Sequence, residues 1–278
     1  MLKRRIALRL LSCKRVLFVH DDGISMKSCG IITVGNEVLQ GHIQDTNSRW
    51  IARRLTELGF DVKGMFVVGD AVEGIISTLS VLMKLNLDLI FVCGGLGPTP
   101  DDKTAEAIAK CFDLKLVENK AVLDDIFRKF SFLKERHIVD IEPTKWILKM
   151  SHIPEGSFPL RNSLGLAPGI MLSVHERLIF VLPGVPVEMK TIFAEEVEPK
   201  LGVGDKRVVK EVVLKAEESM FCDLVEKLEN EYRQVTIGMY PRYGRMEVTV
   251  RIIGNEREVL SVLERINKEA GKLGVKVS

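Results

Sequence analysis

Two adjacent carboxylates, Asp101 and Asp102, follow Gly94, Gly95 and Gly97 in the run CGGLGPTPDDKTAEAIAKCF, Cys93 to Phe112. The glycines tolerate positive φ and carry no side chains, so backbone N–H groups can close on an anion. A helical pattern starts near Asp102. A helix N-terminus turns unsatisfied N–H groups and the positive end of its dipole toward the same place. Together these features suit a phosphate. Two carboxylates beside a phosphate repel it unless a divalent cation such as Mg²⁺, Mn²⁺ or Co²⁺ stands between them. One aspartate would suffice as a helix cap. The second is what points to a metal held by Asp101 or Asp102. The run is neither GxxxxGK[ST] nor GxGxxG, so the two common nucleotide fingerprints do not apply.

Further polar groups stand where strands end. Glu37 follows the first strand pattern, Asp45 precedes the first long helix, and Asp70 closes the second strand. If the strands are parallel, Asp45, Asp70 and the Asp101/Asp102 pair converge on one sheet edge and form a metal and phosphate site. RNSLGLAPGI offers Asn162 and Ser163 as hydrogen-bonding groups and Gly165 and Gly169 as turn residues. LPGVPVEM, with Gly184 and Glu188, is a second strand–Gly–helix junction. The five histidines show no metal-ligand spacing, and no Ser/His/Asp set can be assembled. Cys93 lies inside a strand pattern and reads as a small core residue.

The elements that must position these groups alternate. CGIITVG, DVKGMFVVGD, LDLIFVCGG and RLIFVLPG read as strands, and their continuous apolar character suits strands covered on both faces. Between them, Ile51, Leu55 and Leu58 mark one amphipathic helix. Ile75, Leu79, Leu82 and Met83 mark a second, and Ala105, Ile108, Ala109 and Phe112 a third. Strand–helix alternation at these lengths implies right-handed crossovers and an α/β fold with a mainly parallel sheet. The stretch from Glu142 to Gly169 reads as loops and short strands. After about residue 203 the pattern changes to strand, helix, strand, strand, helix, a small α+β domain covering 203–278. The first strand signal starts only after Met26, so residues 1–27 read as an N-terminal extension ahead of a domain covering 28–202.

Composition excludes several classes. Forty Lys and Arg against 38 Asp and Glu leave a net charge of +2, which advertises neither nucleic acid nor a membrane surface. No apolar run approaches the roughly 20 residues that span a bilayer. Five cysteines without a CxxC pair support neither a disulfide framework nor a zinc knuckle and point to a reducing cytoplasm.

Taken together, GNEVLQGHIQDTNSRWIARRLTELG, VVGD, GGLGPTPDDKT, NSLGLAPG and LPGVPVEM resemble the N-terminal domain of the CinA family, within the molybdopterin-binding MogA/MoaB-like superfamily. The resemblance implies a three-layer MogA/MoaB-like fold followed by a small KH-like domain. By position, Asp45, Asp101 and Asp102 match the acidic site residues. Gly94, Gly95, Gly97 and Thr99 match the phosphate loop. Asn162, Gly165, Gly184 and Glu188 match further motif positions, and Asp70 joins them at the nucleotide. Ser163 and Leu166 depart from the family's usual proline and threonine. The family's separate C-terminal amidohydrolase domain has no counterpart in this sequence, so deamidase activity is not expected. The resemblance implies metal-dependent hydrolysis of ADP-ribose to AMP and ribose 5-phosphate, with Asp45 as base or water-orienting group. Two alternatives are molybdopterin binding or adenylylation in cofactor biosynthesis, and non-catalytic nucleotide binding. The expected partners are a small nucleotide or pterin and further copies of the chain. Nucleic acid is not expected, because IIGNER (Ile252–Arg257) has arginine in place of the second glycine of a GxxG loop and follows a strand.

Overall fold

The computed structural model describes residues 28–85, 87–201 and 207–278. The predicted extension 1–27 and the predicted boundary near 203 lie outside them. The described residues form two compact units, one of 28–52 and 61–201, the other of 53–60 and 207–278.

In chain order the strands of the larger unit are β1 (Ser28–Val34), β2 (Asp61–Val68), β3 (Leu89–Cys93), β4 (Leu116–Glu118), β5 (His152–Pro154), β6 (Phe158–Leu160), β7 (Gly169–Val174) and β8 (Arg177–Leu182). Its helices are α1 (Asn36–Leu39), the first part of α2 (Asn47–Glu57), α3 (Val72–Lys84), α4 (Thr104–Cys111), α5 (Lys120–Glu135), α6 (Lys145–Leu148) and α7 (Pro186–Ile192), the residues of α2 from Arg53 on being grouped with the smaller unit. The main sheet runs β2-β1-β3-β8-β7-β6. Its first three pairings are parallel, as predicted, while β7 and β6 add antiparallel strands at one edge. That edge arises because β7 and β8 are joined by a tight turn. His175 and Glu176 there take φ of 48° and 64°, and two residues leave no room for a crossover helix.

The apolar runs are continuous because both sheet faces are covered. Ile90, Val92, Ile179 and Val181 belong to the core that also buries Ile75, Leu79, Leu82 and Ile108. The alternate residues Phe91 and Phe180 stack at 5.2 Å on the other face. There Phe193 meets Phe91 at 5.8 Å and Trp50 meets Phe193 edge-on at 5.3 Å. Register brings the carboxyl ends level: Thr33 pairs with Val67 and with Cys93, and Cys93 pairs with Leu182. Every loop leaving these four strands therefore starts from one row.

The smaller unit is an antiparallel sheet, β10-β11-β9, from β9 (Val208–Leu214), β10 (Thr236–Pro241) and β11 (Val248–Gly254). Helices α8 (Cys222–Glu231) and α9 (Glu256–Lys272) supply Val225, Leu228, Val259 and Ile266 to its core. Among the described residues no helix is long and apolar enough to cross a membrane.

The fully buried Phe91 touches the sheet's second face through two rings. Phe91→Ala is expected to lower stability by about 3–5 kcal/mol, read from urea unfolding. An unchanged midpoint would contradict the two-faced packing.

Candidate functional site at the carboxyl edge of the sheet

A cleft of about 530 Å³ opens along the row of strand ends. Gly94 and Gly95 form its floor with φ of 109° and 68°. Neither position has room for a side chain. A Cβ on Gly94 would fall 2.2 Å from the Val34 carbonyl oxygen, and one on Gly95 would fall 2.1 Å from Thr104 Oγ1. The Gly94 N–H donates to Leu182 O at 2.9 Å, and Thr104 N donates to Gly95 O at 3.1 Å as α4 begins. Among the described residues, the N–H groups of Gly95, Leu96 and Gly97 reach no protein acceptor. Three successive free donors in a loop that lines the cleft are available to an anion.

The adjacent turn separates the roles of the two aspartates. Thr99 donates to Asp102 Oδ2 through its backbone N–H at 2.9 Å and its hydroxyl at 2.6 Å. Asp102 thus closes the turn beneath Gly97, where a Cβ would lie 2.6 Å from the same oxygen. The helix starts two residues later than the sequence suggests. Its N-cap position is Lys103, without a side-chain cap, so neither aspartate caps α4. Asp101 is exposed, and the Thr99 hydroxyl beside it holds its carboxyl below the usual carboxylate range. Lys149 staples the turn from behind, donating from Nζ to Thr99 O and Asp102 O, both at 2.7 Å. Burial pulls the Lys149 ammonium below its ordinary range, against the raising effect of Asp102, Asp101 and Glu106.

The facing wall is built on Asn162. Its Oδ1 accepts from Leu164 N at 3.1 Å and Gly165 N at 2.8 Å. Its Nδ2 donates to Ala167 O at 2.8 Å and Glu188 Oε2 at 2.7 Å. A second lysine staples this loop: Lys129 Nζ donates to Asn162 O at 2.6 Å and Gly165 O at 2.7 Å, and pairs with Asp125. Gly165 packs against the Glu188 carboxylate, which a Cβ there would have to displace from 2.2 Å. Leu166, one of the departures from the family pattern, faces the cleft directly.

Most of the predicted residues come together. Asp70, Gly94, Gly95, Gly97, Asp101, Asp102, Gly165, Gly184 and Glu188 line one cleft. Thr99 and Asn162 stand behind it and shape it. Asp45 does not line it. Its oxygens accept from Thr33 Oγ1 at 2.8 Å, Ser48 N at 2.9 Å and Ser48 Oγ at 2.6 Å, which fixes the first turn of α2. The neighbouring Asn47 makes the link to the cleft instead, donating to Gly184 O at 2.7 Å. Cys93 is inert: burial pushes its thiol up to about 12. Asn47 reads from the sequence only as an N-cap candidate beside Asp45 and Ser48, and nothing in the sequence pattern singles out Lys129 or Lys149. Only the fold shows which carbonyls they hold.

Glu37, Asp70, Asp101, Asp102 and Glu188 make the cleft acidic. Asp70 registers this. Burial pushes its carboxyl above the usual range, the Asn36 N–H at 3.0 Å pulls it down, and the charges of Glu37, Asp101 and Asp102 push it up again. Among the described residues, no three Asp, Glu, His or Cys side chains converge as a ready-made metal set.

Residues 30–203 match the family described as a probable molybdopterin binding domain, and the chain belongs to that family. A protein of Pyrococcus furiosus is 39% identical over 201 residues, 71% of this chain and 79% of its own length. One of Sulfurisphaera tokodaii is 34% identical over 259 residues, 89% of this chain and 95% of its own. The crystal structure of the protein CinA of unknown function from Thermoplasma acidophilum superposes with a TM-score of 0.56 at 35% identity, covering 63% of this chain and 99% of that one.

Two outcomes test this geometry. Asp45→Ala is expected to lower stability by about 1–2 kcal/mol through the lost α2 cap, and unchanged urea unfolding would show that Thr33 and Ser48 do not depend on it. Asp70 is an acid whose folded pKa is raised, so the folded state holds its proton more tightly and this group's contribution falls as pH rises from the unfolded value through the folded one. Asp70→Asn removes that loss and is expected to raise the thermal midpoint at pH 7 and to make the midpoint climb more steeply from acid pH toward neutral. A lowered midpoint at pH 7 would contradict the repulsion.

Proposed function

We propose that the cleft binds a phosphorylated pterin, molybdopterin being the member of that class named by the family description, with its phosphate on the Gly94–Gly97 loop. The observation that carries this reading is the row of N–H groups at Gly95, Leu96 and Gly97 that have no acceptor among the described residues, next to a floor at Gly94 and Gly95 with no room for a side chain. Such a row serves an anion and little else. A divalent cation bound with the phosphate would be held by Asp101 and Asp102 and would neutralise phosphate charge beside the acidic wall. Asp102 contributes its remaining oxygen, since Oδ2 is taken by Thr99, and the exposed Asp101 contributes a carboxylate held in its ionised form. The role is a step of cofactor biosynthesis that needs the pterin phosphate held and oriented.

A second reading rests on the five carboxylates around the cleft, which suit a more highly charged ligand arriving with its cation. That reading is hydrolysis of a nucleotide diphosphate compound such as ADP-ribose to AMP and ribose 5-phosphate. The donors at Gly95–Gly97 would orient the pyrophosphate, and Asp101 with Asp102 would hold the cation. Asp45 would act only by fixing α2, because both of its oxygens are engaged. The smaller unit serves packing or association between copies in either reading. IIGNER ends β11 and begins α9, with the Asn255 side chain accepting from Glu258 N at 2.9 Å, which is not the helix–loop–helix of an RNA-gripping loop.

Calorimetry with a pterin monophosphate, with and without Mg²⁺, tests the first reading. Binding is expected to tighten with Mg²⁺ and to weaken about tenfold or more in Gly97→Ala and Asp102→Asn, the scale of one lost charge-assisted contact. Absence of binding in both conditions overturns it. Incubation with ADP-ribose and Mg²⁺, Mn²⁺ or Co²⁺ tests the second, and failure to release AMP with any of them removes it.

A further inference from the structure

A second cavity of about 220 Å³ opens on the other side of the glycine loop. It meets the phosphate cleft along Gly95, Leu96, Gly97, Asp102 and Met150, which line both. Its remaining walls are of a different kind: Trp146 and Leu116, two prolines, Ala105 and Ile170, with His152, Glu106 and Lys103 at the margin. Trp146 is the unusual member. A large aromatic ring normally serves the core, yet this one is 40% exposed, and among the described residues its indole N–H has no acceptor. Its backbone is anchored. It belongs to α6, whose first turn is capped by the Thr144 hydroxyl accepting from Ile147 N. Lys149 Nζ lies 5.8 Å from its ring centre and is pinned to the two carbonyls of the Asp102 turn. Lys145 Nζ, 5.2 Å from the ring centre, makes no ion pair among the described residues. An exposed aromatic ring beside a cavity with apolar walls can serve as a stacking platform.

We infer that this slot is the subsite for the planar, nitrogen-rich heterocycle of the ligand, a purine or a pterin stacked on Trp146, while the phosphate occupies the adjoining glycine-loop cleft. The inference rests on the phosphate-binding reading above and adds to it the part of the ligand that sets selectivity. The polar margin fits that chemistry. A purine or pterin edge carries both donors and acceptors, and Glu106 accepts while His152 can do either. A bare sugar phosphate has no flat apolar surface to place there. The shared wall is a single loop, so one short linker joins the two parts.

The chain has two tryptophans, and Trp50 is engaged edge-on by Phe193. Trp50→Phe protein therefore reports from Trp146 alone. It is titrated with AMP, a pterin monophosphate and ribose 5-phosphate, each with Mg²⁺, following fluorescence together with calorimetric affinity. The expected result is quenching of Trp146 by AMP or the pterin phosphate and none by ribose 5-phosphate. Trp146→Ala is expected to weaken the heterocycle-bearing ligand roughly tenfold or more, to leave ribose 5-phosphate affinity unchanged, and to be rescued by Trp146→Phe. Unchanged affinity of Trp146→Ala for both heterocyclic ligands, with ribose 5-phosphate still bound, overturns the subsite and leaves the phosphate cleft standing. Equal weakening of all three ligands also overturns it, because the ring would then act only through the fold. Absence of any binding by the parent protein overturns both readings.

Discussion

The carbonyl of Val34, at the end of β1, lies where a Cβ on residue 94 would have to go. That steric constraint shapes the whole carboxyl edge. Because β1, β3 and β8 finish level, the chain leaving β3 must pass directly over the end of β1 while its N–H reaches Leu182 O on β8. Only a residue without a side chain, free to take a φ of 109°, can make that passage. Once the chain has turned there, the next carbonyl is taken by Thr104 at the start of α4, and the N–H groups that follow have no partner within the described protein. Gly95 and Gly97 are half-buried beside the cleft, so their donors are open to a ligand in place of water.

The charges around the loop follow a consistent division. The two lysines nearest the site do not point their ammonium groups into the cleft. Each binds a pair of backbone carbonyls behind one wall, Lys149 behind the Asp102 turn and Lys129 behind the Asn162 loop. An ammonium with two carbonyl acceptors is an efficient clamp for a loop, since it replaces the second strand that a hairpin would use. The consequence for ligand choice is that positive charge stabilises the walls while the cleft itself stays acidic. Backbone donors supply the attraction for phosphate, and the carboxylates set the condition that a cation accompanies it.

Much of this was legible in the sequence, for identifiable reasons. Strands buried on both faces leave unbroken apolar runs, and glycine, proline and aspartate concentrate where a backbone is asked to do something unusual, so the sheet edge and the GGLGPTPDD turn could be read directly. Three features could not. The antiparallel edge depends on a two-residue turn at His175–Glu176 that adopts positive φ without glycine or asparagine, so no residue type announced it. Asp45 has the same chemistry as Asp101, and only the placement of Thr33, whose hydroxyl lies 2.8 Å away, shows that it holds a helix rather than facing the cleft. Lys129 and Lys149 look like ordinary surface lysines until the loops fold beneath them.

The two cavities share a wall, and this bears on selectivity. Gly97 and Asp102 face both sides of the same loop, so the turn that presents N–H groups to a phosphate also forms the edge of the aromatic slot. A site of this kind cannot optimise one half independently. Any side chain at residue 97 displaces the Asp102 carboxylate, which loosens its bonds to Thr99 and with them the carbonyls that Lys149 grips beside Trp146. Glycine at 97 thus lets the Asp102 carboxylate keep its place between the two cavities. A ligand that engages only one cavity uses only part of what the loop is shaped to recognise, so discrimination between a full heterocyclic phosphate and its fragments is built into the backbone as much as into the side chains.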